Sequence, residues 1–146
     1  MKTLSVQQPW AWLIMAGLKK VENRSWPTDY RGRLAIHASS RLAIKSWSEI
    51  LEPDGNEPIV ADEEVEIPDG VILPALADLP LSAVLGTVEL VDCVRDTDLP
   101  PDLQDHSFAG VDCWCWILAD PRPLEHPFSC KGKLRLWDSP PTAGLI

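Results

Sequence analysis

Fourteen of the 146 residues are proline. Each removes a backbone donor and holds φ in a narrow range, so the chain is restricted to short helices and to strands broken or edged by proline. Within that limit "SAVLGTVELVDCVRD" has the strongest strand character, apolar and β-branched through Val94. "GVDCWCWILAD" is a second strand, with Cys113 and Cys115 on one face and Trp114 and Trp116 on the other. "RPLEHPF" fits an edge strand because of its prolines. "RLAIHA" sets Leu34, Ile36 and Ala38 against Arg33, Ala35 and His37. "KGKLRLWD" sets Lys131, Lys133, Arg135 and Trp137 against Leu134 and Leu136.

Helical spacing occurs twice. In "PWAWLIMAGLK", Trp10, Leu13 and Ile14 recur at that period between Pro9 and a stop at Gly17. In "SSRLAIKSWSEIL", Ser39 or Ser40 can cap a helix that carries Ala43, Ile44, Trp47, Ile50 and Leu51 on one side. Between the two helices, "KKVENRSW" alternates as a strand would, placing Lys20, Glu22, Arg24 and Trp26 together. Five or six short strands with two flanking helices predict an α+β fold, a small mixed β-barrel. A chain of this length hides roughly two-thirds of its unfolded surface, so residues 1–146 are expected to form one domain. The Pro-, Asp- and Glu-rich stretch around 52–80 reads as an irregular acidic insertion within it.

The net charge of −9 conceals a segregation along the chain. Residues 1–46 carry eight basic groups against Glu22 and Asp29, a local balance of +6, whereas residues 47–110 hold sixteen acids against Arg95. A phosphate backbone senses charge within about 8–10 Å, so the N-terminal face stays attractive to polyanions despite the acidic total. No C-x-x-C pair or calcium-loop spacing is present, so no metal and no cofactor are expected, and the four cysteines read as free thiols. "PWAWLIMAG" is far too short to cross a bilayer, and no apolar leader follows Lys2, which points to the cytoplasm.

Two segments at opposite ends of the chain each combine cations with tryptophan: Lys20, Arg24 and Trp26, then Lys133, Arg135 and Trp137. Cations neutralise phosphate while an indole offers a stacking surface worth about 1–3 kcal/mol per base, the pairing that single-stranded nucleic acid requires. The alternative is that Trp26 and Trp137 are core residues and the cations unrelated surface. Glu22 and Arg24 can pair side by side on a strand. His37 reads either as a proton donor or shuttle or as an ordinary hydrogen-bonded histidine. Ser25, Thr28 and Ser39 have no neighbouring motif that supplies a base or an oxyanion site.

The string "LSVQQPWAWLIMAGLKKVENRSW", followed by "YRGRLAIHAS", resembles the ASCH domain family, and in particular its activating signal cointegrator branch. The family signature G-x-K-x-x-E-x-R is met by Gly17, Lys19, Glu22 and Arg24, and "LGTVELVDC" and "KGKLRLW" resemble later strands of the family. The resemblance implies a PUA-like barrel in which the motif lines a cleft between barrel and helices. It also implies binding of RNA or another nucleic acid.

Some small relatives are enzymes, one group cleaving the amide of N4-acetylcytidine with a Lys, a Thr and a Glu, another regarded as a ribonuclease. Lys19 matches that lysine, but Glu22 stands where those enzymes have threonine, and only Asp102 or Asp105 lies in the region of the downstream acid. The expected site is therefore a nucleic-acid-binding one, with Lys19, Arg24, Arg33, Lys133 and Arg135 beside Trp10 and Trp26. The alternative is a hydrolase of RNA or of a modified nucleoside, with Lys19 and Glu22 as its acid/base pair. A third reading gives the acidic 52–105 region to a protein partner.

Overall fold

The computed structural model describes residues 1–51, 64–66 and 70–140. In chain order the elements are β1 (Lys2–Gln8), α1 (Trp10–Met15), β2 (Val21–Arg24), β3 (Gly32–Leu42), α2 (Ser48–Leu51), β4 (Val65–Glu66), β5 (Ile72–Leu73), β6 (Ala83–Arg95), β7 (Trp114–Ser129) and β8 (Leu136–Asp138). Six of the strands form one sheet in the order β2-β7-β6-β3-β1-β8, and β4 and β5 pair separately. The pairing of β1 with β3 is parallel and every other pairing is antiparallel. The mixed α+β architecture expected from the sequence is thus present, as a barrel-like sheet that does not close.

Burial explains the order. β3 lies inside the sheet, with Leu34, Ala35, Ile36, His37 and Ala38 all buried, so its alternation separates two packed faces instead of core from solvent. Leu34 and Ile36 pack with Leu4, Val6, Val88, Leu90 and Trp116 on one side, and Ala35 packs with Val84 on the other. The six-residue α1 is too short to persist alone. It is held by burying Leu13 and Ile14, each worth about 1.5–3 kcal/mol, and by Gln8. The Gln8 Oε1 accepts the Trp12 amide at 2.8 Å while its Nε2 donates to the Pro80 carbonyl at 3.0 Å.

Three expectations are corrected. Residues 39–42 continue β3 instead of opening a helix, because Leu42 is in register with Gln8 and the Ala43 amide donates to the Gln8 carbonyl. Only Ser48–Leu51 is helical, and Ile44 and Trp47 reach the interior from the turn before it, Trp47 donating its indole N–H to Pro74. "RPLEHPF" is the second half of one long β7, not a strand of its own. β2 pairs with β7 only along Trp114–Ile117, so the prolines beyond fall where no β2 ladder needs their missing donors, and the register with β6 shifts repeatedly. Where β7 crosses β6 the backbones are very close: a side chain on Gly86 would meet Met15 Cε and Pro123 Cα at 2.7 Å, and also the Arg122 carbonyl.

The last correction concerns "KGKLRLWD", in which only Leu136–Asp138 is strand. Arg135 has φ +59°, which ends the alternation, so Arg135 and Trp137 diverge instead of sharing a face. Residues 52–63 and 67–69 of the acidic insertion lie outside the described residues; within the remainder β5 and a short turn at Leu76–Asp78 are ordered against Trp47. No described helix is long and apolar enough to cross a membrane.

Candidate nucleic-acid interface

The site begins where α1 stops. Gly17 takes φ +78°, a conformation that glycine adopts without strain, and the Leu18 and Lys19 amides both return to the Leu13 carbonyl at 3.0 Å. This reversal tucks Lys19 under the helix, leaving it only 4% exposed. Its Nζ lies 3.1 Å from Glu22 Oε1 and also donates to the Val21 carbonyl. The Trp10 and Phe108 rings stand 5.9 and 6.0 Å from the ammonium, close enough for their π faces to favour the cation.

Glu22 and Arg24 project from the same side of β2, as the two-residue period requires. Glu22 Oε2 accepts from Arg24 Nε at 3.0 Å and pairs with Nη2 at 2.8 Å. Each carboxylate oxygen therefore meets its own cation. Burying the Lys19 and Glu22 charges is costly unless both are paired, and with the half-buried Arg24 the network satisfies that condition. Arg24 Nη2 also donates to the Ser5 carbonyl at 2.8 Å, just beyond Leu4, where the pairing of β8 with β1 ends.

Asn23, on the opposite side of β2, ties a distant loop to this network. Its Nδ2 donates to the Phe108 carbonyl and its Oδ1 accepts the Gly110 amide, both at 2.8 Å. Cys113 and Cys115 also approach Oδ1, and their sulfurs lie 4.0 Å apart. Burial, followed by the neighbouring Cys113, pushes the Cys115 thiol up to about 11. Nearby, His106 Nε2 accepts the Lys20 amide at 3.0 Å. Burial first, then the charges of Lys19 and Lys20, hold the His106 imidazole below its ordinary value.

A cleft of about 330 Å³ opens beside Arg24. Trp10 and the Glu22–Arg24 pair form one wall, β1 from Ser5 to Gln7 contributes another with Ser39, and the loop Lys133, Leu134 and Arg135 forms the lip. Of the site residues singled out in the sequence, Trp10, Glu22, Arg24, Lys133 and Arg135 line this cleft, while Lys19 supports it from within through Glu22. Trp26 sits behind it: its ring meets Trp116 edge-on at 4.9 Å, and the Arg135 guanidinium covers it at 4.3 Å. The two basic, tryptophan-bearing segments thus interlock, the cation of one lying on the indole of the other. Trp137 is buried elsewhere, against His37.

Arg33 does not join the group. Its guanidinium lies 3.5 Å from Glu89 and 3.3 Å from Asp120, partners on β6 and β7, and it does not line the cleft. Lys20 is exposed and borders other cavities, because β2 begins only at Val21. Asp102 borders, with Lys19 and Lys20, a separate cavity of about 400 Å³. His37 is buried and fully engaged: its Nε2 donates to the Cys130 carbonyl at 2.7 Å, and Nδ1 accepts from Ser5 Oγ at 3.1 Å. No cluster of three metal-ligating side chains occurs among the described residues. Ser5, Phe108 and Leu134 were not anticipated; the partial hint was "FAG", since a Cβ on Gly110 would lie 2.9 Å from both Asn23 Oδ1 and Cys113 Sγ.

The chain is 33% identical over 134 residues to human activating signal cointegrator 1 and 32% identical to the mouse protein. Those alignments cover 92% of this chain and 21% of each relative, so the chain spans about a fifth of the length of the curated relatives it matches. The crystal structure of an ASCH protein from Zymomonas mobilis aligns with a TM-score of 0.46 at 17% identity, covering 88% of this chain and 72% of that one. The ASCH domain profile matches residues 4–128, a span that holds Gly17, Lys19, Glu22 and Arg24, and the chain therefore belongs to the ASCH domain family.

Proposed function

We propose that the chain acts as one RNA-binding ASCH domain, with the Trp10–Arg24–Arg135 cleft as the place where a nucleotide is held. One observation carries this reading: a cleft of nucleotide-compatible size is rimmed by Arg24, Lys133 and Arg135 and walled by Trp10, while the acid within it, Glu22, is neutralised by two cations. Three cations and one acid line the cleft, a positive local balance in a chain whose total charge is −9. Arg24 is anchored by Nε and Nη2, which aims the remainder of its guanidinium at the cleft.

The hydrolytic alternative has less support. Lys19 and Glu22 are within proton-transfer distance, but both Glu22 oxygens are held by cations, and Lys19 is buried against Glu22 and the Val21 carbonyl. Fluorescence anisotropy with short single-stranded RNA tests the reading. Binding is expected at low salt, with log Kd rising against log salt by about 0.7 per phosphate contacted, and Lys133→Ala should reduce that slope by about one contact. Absence of binding at low salt would overturn it.

A further inference from the structure

Leu134 is 91% exposed at the lip of the cleft, between two cations. A single exposed leucine is ordinary on a protein surface. This one differs because the loop that carries it is fixed at both ends. At Gly132 the backbone packs so closely that an added Cβ would lie 2.6 Å from His37 Cε1 and 2.8 Å from Ser5 Oγ. At Arg135 the chain turns through φ +59° and the guanidinium rests 4.3 Å from the Trp26 centroid, on a ring itself braced by Trp116. The side chain between these anchors is therefore presented from a defined backbone.

A cleft of about 330 Å³ is of a size to take a single nucleotide. A base seated there leaves its stack, and proteins that separate bases commonly place an apolar side chain in the gap. We infer that Leu134 is such a wedge: it inserts against the neighbouring base while the extracted nucleotide occupies the cleft and Lys133 and Arg135 hold the flanking phosphates. Leu134 then determines that the domain takes an unstacked nucleotide, not a regular helix. The inference rests on the nucleic-acid reading above.

Single-stranded RNA carrying one 2-aminopurine, whose emission rises when it is unstacked, separates the two ideas. With saturating wild-type protein the emission should rise severalfold. Leu134→Ala should still bind, weakened by about tenfold or less, yet lose most of that rise, and Leu134→Phe should restore it. Tight binding with no rise, or an equal rise with Leu134→Ala, would overturn the wedge and leave the binding reading intact. No binding of any RNA would overturn both.

Discussion

Lys19 Nζ lies 3.1 Å from Glu22 Oε1, with both side chains almost wholly buried, so the two motif residues form an internal ion pair and not a surface one. Arg24 completes the group from the other oxygen. Glu22 is the only acid in this network, and its removal leaves two cations facing each other. Glu22→Gln should therefore cost about 3–5 kcal/mol. Lys19→Met should cost less, because Arg24 still balances the carboxylate. Urea denaturation of both variants measures the order; a Lys19→Met protein less stable than Glu22→Gln would contradict this account of the triad.

His106 provides a pH dependence with a definite sign. Its folded-state value is held below 6.5 by burial and by Lys19 and Lys20. The unfolded chain then binds more protons in the window beneath 6.5, so the contribution is fully present above that pH and is lost as pH falls through the depressed value. Protonation at Nε2 also removes the acceptor of the Lys20 amide. His106→Gln should flatten this part of the stability profile, measured as urea midpoints across the window. An unchanged slope would mean that His106 does not report on the loop.

The cysteine pair should react in order. Cys115 is fully buried and its thiol is raised to about 11, whereas Cys113 is half-buried at the mouth of the same contact. Because the thiolate is the nucleophile, iodoacetamide under native conditions should modify Cys113 well before Cys115. Peptide mass spectrometry over a time course reads this directly, and equal rates would show that the loop around Gly110 opens readily.

Much of the framework was legible because local signals and burial agree. Gly17 ends α1 as its position suggests, and β6 is the strand its β-branched residues indicate. The second helix misleads for a physical reason: Ile44 and Trp47 share helical spacing with Ile50 of α2, but they reach the core from the turn before it, while β3 runs on to Leu42, in register with Gln8. The candidate site was legible at Lys19, Glu22 and Arg24, which lie within six residues of one another. Contacts between distant segments were not. Arg33 is claimed by Glu89 and Asp120, and Arg135 leaves its expected face through one left-handed residue to lie on Trp26. Neither choice has a local signature, since both partners come from tertiary packing.

The location of the bound nucleotide tests the account most directly. A chemical-shift titration of the labelled protein with a short single-stranded RNA should move the Trp10 indole and the Arg24 and Arg135 side-chain signals together and saturably. The Arg33 signal, engaged by its two carboxylates, should stay in place. Saturable shifts confined to the surroundings of Lys20, His106 and Asp102, with Trp10 and Arg24 unmoved, would contradict the assignment of the cleft.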